Sequence, residues 1–310
     1  MNKHNPLRHL KIKMESVNQK QRIVITGASG QLGQELKVLL EHDAAKECFF
    51  LDRKQLPLDQ TFIIQDILGM YQPDVIIHAG AYTAVDQAES EADLADQVNH
   101  LASEEIAEYC HVHGTKLIAI STDYVFDGNS RMALAEDAPV HPINVYGHTK
   151  LKGEQAIQKW CPEAIIIRTS WVYSTFGKNF VKTMLRLMSE RDSIAVINDQ
   201  IGSPTSAVDL AKAIVHIVEC AKWVGGVYHY SNEGEISWYD FAVAIRDLKG
   251  LECEINAIPS TAYPTAAKRP NYSLLNKTKI KATFGVEVPF WKDSLAKCLS
   301  DEVTSNGVKK

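Results

Sequence analysis

The chain has 310 residues, 45% of them hydrophobic, enough to bury a full core and to fill one large α/β domain or a large domain with a smaller one. Against 38 acidic residues stand 33 basic ones, a formal net charge of -5, so no global positive field favours nucleic acid or an anionic membrane. Six cysteines scattered without a CxxC pair exclude a stapled scaffold and zinc-finger spacing, and fit a reducing, cytoplasmic compartment.

Residues 1–20 carry Lys3, Arg8, Lys11, Lys13 and Lys20 but no apolar leader core, and no later run approaches the roughly 20 apolar residues of a membrane span. They read as a disordered extension, with a partner-binding arm as the alternative. From Arg22 onward short apolar runs alternate with helical patterns: Ile23–Ile25, Cys48–Leu51, Val75–Ile77, Leu117–Ile120 and Ala164–Ile167. Near-continuous apolar strands separated by amphipathic helices, such as the one bearing Leu32, Leu36, Leu39 and Leu40, predict a doubly wound parallel sheet of Rossmann type. After Trp171 the rhythm changes to a Gly/Asn loop, a helix near Val181–Met188, a loop over 198–205, a helix to Cys220 and a last strand at Val227–Tyr230. The remainder, with Pro259, Pro264, Pro270 and Pro289 among short elements, suits a smaller, irregular C-terminal domain that closes over a ligand.

The first strand runs into Thr26-Gly27-Ala28-Ser29-Gly30-Gln31-Leu32-Gly33. Glycines at this strand-to-helix turn let the backbone approach a pyrophosphate, and the N–H groups at the helix start offset its charge. A glycine-rich turn of purely conformational origin is the competing account. Asp52 ends the second strand where a carboxylate can accept ribose hydroxyls, favouring NADH, whereas its neighbour Arg53 can pair a 2′-phosphate, favouring NADPH. Ala81, Tyr82 and Thr83, after the strand Val75–Ile77, are further cofactor-side candidates, and Val85 is placed toward a substrate. Residues 21–172 with 207–230 are thus the expected dinucleotide-binding domain, and 173–206 with 231–310 the substrate-binding region.

Tyr146 and Lys150 stand four apart in a helical pattern, so they share a face, and an ammonium beside a phenol lowers its pKa from about 10. An ordinary surface pair has the same spacing. Upstream, Ser121-Thr122-Asp123-Tyr124-Val125-Phe126-Asp127-Gly128 follows an apolar strand, where a hydroxyl can hydrogen-bond a substrate carbonyl beside Tyr146.

Through TGASGQLG, the Ser/Thr position of STDYVFDG, and YGHTK, the chain resembles the extended short-chain dehydrogenase/reductases. Within that family, AGAYTAVDQAE, STDYVFDG, YGHTKLKGE, RTSWVY, NDQIGSPT and RPNYSLLN are similar to phrases of the reductases of dTDP-linked 4-keto-6-deoxy sugars, from Arg22 to the C-terminal helix. The resemblance implies reduction of the C4 keto group of dTDP-4-dehydro-6-deoxy-L-mannose to dTDP-L-rhamnose by NADPH or NADH, in a monomer or homodimer. It implies that Thr122 orients the keto oxygen, Tyr146 donates a proton, and Lys150 tunes Tyr146 and holds the nicotinamide ribose. Gly27, Gly30, Gln31, Leu32, Gly33, Asp52, Ala81, Tyr82 and Thr83 then belong to the cofactor site.

On the same resemblance, Val85, Thr122, Asp123, Tyr124, Trp171 and Asn179 belong to the substrate site, although Asn179 also suits a helix N-cap and Trp171 a core position. Lys178, Lys268 and Arg269 are candidates for the diphosphate, and Gln200, Gly202 and Thr205 for the pocket frame. Asn99 is placed either in a proton relay or on local backbone. His111 and His113 read as a surface turn, and no metal is expected. Two alternatives share these motifs: another nucleotide-sugar ketoreductase or epimerase, and a non-catalytic regulatory subunit resembling the β subunit of methionine adenosyltransferase.

Overall fold

A computed structural model describes residues 20–306; the expected N-terminal extension lies, but for Lys20, outside the described residues. The first half alternates strand and helix: β1 (Gln21–Thr26), α1 (Gln31–Leu40), β2 (Lys46–Leu51), α2 (Ile64–Tyr71), β3 (Val75–His78), α3 (Val85–Ala88), α4 (Ala92–Asp96), α5 (Ala102–His113), β4 (Lys116–Thr122), α6 (Val145–Trp160) and β5 (Ile165–Thr169). The second half adds β6 (Val172–Tyr173), α7 (Phe180–Glu190), β7 (Ser193–Ile197), β8 (Ile201–Gly202), β9 (Thr205–Ser206), α8 (Ala207–Glu219) and β10 (Gly226–His229). It closes with β11 (Ile236–Ser237), α9 (Trp238–Lys249), β12 (Glu254–Ile258), α10 (Thr278–Phe284) and α11 (Trp291–Asn306).

Six parallel strands form the central sheet in the order β2-β1-β3-β4-β5-β10. Both faces are covered, which explains the unbroken apolar runs. Ile23, Ile25, Val75, Ile77, Ile165 and Ile167 face Leu36 of α1 and Ile214 and Ile217 of α8. The intervening Val24, Ile76 and Ile166 face Leu68 of α2, Ile106 of α5 and Ile157 of α6. Chain direction across the sheet reverses between β1 and β3, and the crevice at such a reversal is where doubly wound sheets bind ligands.

A third core gathers Tyr173, Val181, Met184, Phe241, Ile245, Trp291 and Leu295 beside the β7–β12 pair. This region is more regular than its prolines suggested. α9 spans 12 residues and starts with a reciprocal Ser237–Asp240 capping box, and α11 spans 16. The expected loop at 198–205 contains β8 and β9, which pair briefly with β11 and β6. Ile280, Phe284 and Val286, assigned by sequence to the smaller region, pack in the core with Ile23 and Tyr228.

α6 is fastened to the sheet by a buried ion pair. Arg168 of β5 donates from Nε to Glu154 Oε1 at 2.9 Å and from Nη2 to Oε2 at 2.7 Å, and Ser121 of β4 donates to Oε1. Their side chains are 5% and 3% exposed. Removing one partner strands a charge without water, so Glu154→Ala is expected to lower the unfolding free energy by about 3–5 kcal/mol. Denaturant titration checks this, and a loss under about 1 kcal/mol would contradict the anchoring role assigned to the pair.

Candidate active site

A cleft of about 670 Å³ opens at the carboxyl ends of β1, β3, β4 and β5, within the size range of small-molecule sites. At one end the turn after β1 is pressed against its surroundings. Gly27 has φ +68°, and a Cβ there would lie 2.6 Å from Gly80 N; on Gly33 a Cβ would lie 2.3 Å from Gly27 O. Only glycine permits this packing. α1 begins at Gly30 with no side-chain cap and no acidic residue in its first turn, leaving N–H groups and the positive end of the helix dipole for an anion. These features fit a dinucleotide pyrophosphate, and Gly27, Gly30, Gln31, Leu32, Gly33, Asp52, Ala81, Tyr82 and Thr83 all line the cleft.

Asp52 Oδ1 accepts the backbone N–H groups of Lys54 and Gln55 at 2.8 and 3.1 Å, which fixes the carboxylate at the end of β2. Arg53 also lines the cleft but pairs with Asp59 at 2.8 Å, its side chain 74% exposed. Tyr82 turns its hydroxyl to Glu91, at 2.8 Å, and its backbone exchanges two hydrogen bonds with the Asn99 amide. Asn99 Nδ2 also donates to Thr149 Oγ1 at 3.1 Å, so its amide bonds the backbone of Tyr82, 17 positions away, rather than its own local backbone, and ties it to α6.

On the opposite wall, Asn144 caps α6 by accepting Gly147 N–H at 2.7 Å, and the helix presents Tyr146 and Lys150 to the cleft. Lys150 is 5% exposed and donates to Ile120 O at 2.7 Å. Burial draws its pKa down to about 8, with Glu154 opposing. Thr122 accepts Tyr124 N–H at 3.2 Å and donates to Asp123 Oδ1 at 3.1 Å.

The phenol of Tyr146 departs from expectation. Burial pushes it up to about 12, with a hydrogen bond to Thr122 opposing and the Asp123 charge adding to the rise. Desolvation therefore sets the direction, and the expected acidification by Lys150 is not among the influences on the phenol. Tyr146 is a protonated acid at neutral pH. Burial likewise lifts Asp123 to about 6, against hydrogen bonds from Ser273 and Thr122.

Of the substrate-side candidates, Val85, Thr122, Asp123, Tyr124 and Trp171 line the cleft. Asn179 does not: it caps α7 by accepting Lys182 N–H, and its Nδ2 donates to Ser174 O and Gln31 Oε1. Its neighbour Lys178 takes the lining position. Arg269 is held by Asp86 through both terminal guanidinium nitrogens, and Lys268 offers its carbonyl to Asn144; neither is part of the lining, nor are Gln200, Gly202 and Thr205. Gly202 instead lies beneath Trp171, whose ring stacks on Trp238 at 3.6 Å and 14°.

Trp238, Glu154 and Arg168 were absent from the expected site. The first follows a capping-box serine, and Glu154 continues the four-residue spacing of Tyr146 and Lys150; those were the available signals. His111 and His113 face Trp160 and Tyr109. Among the described residues, no group of three or more His, Cys, Asp or Glu could hold a metal ion. No helix among them is long and apolar enough to cross a membrane.

The family model of the RmlD substrate binding domain matches residues 21–304. The dTDP-4-dehydrorhamnose reductase of Aggregatibacter actinomycetemcomitans is 42% identical over 286 residues, 88% of this chain and 97% of that protein. The enzyme of that name from Escherichia coli K12 is 39% identical over 297 residues, 92% and 99% of the two chains. A crystal structure of dTDP-4-dehydrorhamnose reductase from Bacillus anthracis, in complex with NADP, superposes with a TM-score of 0.87 at 37% identity, covering 91% of this chain and 100% of that one. With its parallel sheet, glycine turn and Tyr146–Lys150 helix in place, the chain belongs to the RmlD substrate binding domain family.

Proposed function

We propose that the protein reduces the C4 keto group of dTDP-4-dehydro-6-deoxy-L-mannose to dTDP-L-rhamnose with NADPH or NADH. One observation carries the reading: Thr122, Tyr146 and Lys150 line the same cleft as the uncapped glycine turn. The names and cofactor of the relatives described above support it. In this reading residues 21–172 with 207–230 hold the dinucleotide, and 173–206 with 231–310 cover the sugar nucleotide, apart from the segment of Ile280, Phe284 and Val286 that packs on the central sheet. The six cysteines are unbridged, in keeping with a cytoplasmic setting.

When bound, the reduced nicotinamide supplies the hydride. Tyr146 supplies the proton: a phenol with its pKa pushed up to about 12 keeps that proton at neutral pH and releases it only to a stronger base, which a developing sugar alkoxide is. Thr122, held by Tyr124 N–H and Asp123, can turn its hydroxyl to the same keto oxygen. Lys150 stays cationic below about pH 8, and its charge stabilises negative charge gathering on the oxygen as the hydride arrives. Val85, Asp123, Tyr124 and Trp171 contact the sugar nucleotide, with Lys178 at the cleft edge serving its diphosphate. Asp52 and Arg53 side by side give tolerance for both nicotinamides.

Purified protein is expected to consume NADPH or NADH when given this ketosugar; the absence of turnover with both cofactors would overturn the reading. Tyr146→Phe should lower kcat by about 10²-fold or more while nucleotide binding persists, and undiminished kcat would remove Tyr146 from the chemistry. The ratio kcat/KM for the nicotinamide, which reports the free enzyme, should fall as pH rises through about 8, where Lys150 loses its proton. A profile flat to pH 10 would contradict the cationic role of Lys150.

A further inference from the structure

His78 ends β3 with 2% of its surface exposed, and the reaction scheme leaves it without a task. Its Nδ1 lies 2.8 Å from Thr26 Oγ1 and its Nε2 lies 3.2 Å from Ser103 Oγ. The proton arrangement follows from its neighbours. Ser103 commits its single hydroxyl proton to Asn99 O at 2.8 Å, so toward His78 it can only accept, and Nε2 must carry a proton. Burial, reinforced by the Lys150 charge, draws the imidazole down to about 3, so the ring is neutral and Nδ1 is bare. Nδ1 then accepts from Thr26, whose oxygen accepts Gly80 N–H at 3.1 Å.

The result is a one-way chain of hydrogen bonds from Gly80 N–H through Thr26, His78 and Ser103 to Asn99 C=O. Each end matters to the site. The Gly80 backbone is the surface against which Gly27 packs. Asn99 holds the backbone of Tyr82 and, through Thr149, the helix turn next to Lys150.

We infer that His78, held as its Nε2–H tautomer, is a positioning residue that sets the glycine turn in register with the helix carrying Tyr146 and Lys150. The inference deepens the reductase reading and rests on it for the kinetic effects alone; the tautomer is independent of any substrate.

The tautomer is read from ¹⁵N NMR of the labelled, full-length protein, with the His78 signals assigned by their loss in His78→Gln. A bare Nδ1 and a protonated Nε2, unchanged from pH 8 to pH 5, are expected. An Nδ1–H ring, or titration across that range, overturns the inference.

Two amide substitutions then separate the arms of the chain. The oxygen of Asn reaches the place of Nδ1 and can keep the Thr26 arm, whereas the amide of Gln reaches the place of Nε2 and can keep the Ser103 arm. His78→Asn should lower kcat roughly 10-fold with the nicotinamide KM held within about 2-fold, and His78→Gln should do the reverse, as the loss of one hydrogen bond of about 1.4 kcal/mol gives. Equal losses in both parameters for both variants, tracking a common drop in Tm, mean a merely structural histidine and overturn the assignment. Should wild-type protein turn over no ketosugar, the reductase reading fails, while the NMR result and the nicotinamide affinity of the two variants still decide the role of His78.

Discussion

One face of α6 carries Tyr146, Lys150 and Glu154 at four-residue intervals, and the site depends on how the sheet answers the two charges buried there. Lys150 is met by the Ile120 carbonyl, and Glu154 by Arg168 and Ser121. Either charge left alone in this interior would cost several kcal/mol. The pairing therefore fixes the rotation of the helix, and with it the direction of the Tyr146 phenol. Asn144 sets where the helix begins, so the phenol has little freedom to leave the cleft.

The same burial shapes the electrostatics. Removing water raises the phenol and lowers the ammonium, leaving Tyr146 protonated up to about 12 and Lys150 cationic up to about 8. A proton donor and a positive charge then coexist over the neutral range without an external acid. Reduction of a ketone needs that combination, because negative charge grows on oxygen as the hydride arrives and must be both stabilised and quenched. The glycine turn stands on the other side of the cleft, where close backbone packing and an uncapped helix start, rather than side-chain charge, suit the proposed pyrophosphate.

Much of this was legible in the chain. Ile-rich strands, the glycine turn and the Tyr146–Lys150 spacing are local patterns, and each lies where its periodicity places it. What escaped depends on contacts between distant residues. Arg168 and Glu154 look like ordinary charges until β5 and α6 are packed together, and Trp238 stacks on Trp171 across 67 positions of chain. The direction of the Tyr146 shift was misjudged because spacing reveals a neighbouring ammonium but not the loss of water around the phenol. Asn179 shows how two readings of one residue are separated: its motif position pointed to a ligand contact and its place before Phe180 to a helix cap, and the backbone at the start of α7 takes its side chain. The regular α9 was overlooked although its capping box, Ser237 and Asp240, stood in plain view.

The central claim is that the Tyr146 hydroxyl delivers its proton to the keto oxygen of the sugar. A crystal structure of the protein with nicotinamide and the dTDP-linked ketosugar, or its unreactive analogue, tests it most directly. The account predicts the C4 oxygen within about 2.6–3.2 Å of Tyr146 Oη, with Thr122 on the same oxygen. A sugar bound in the cleft with its C4 oxygen turned away from Tyr146 and toward solvent would contradict it.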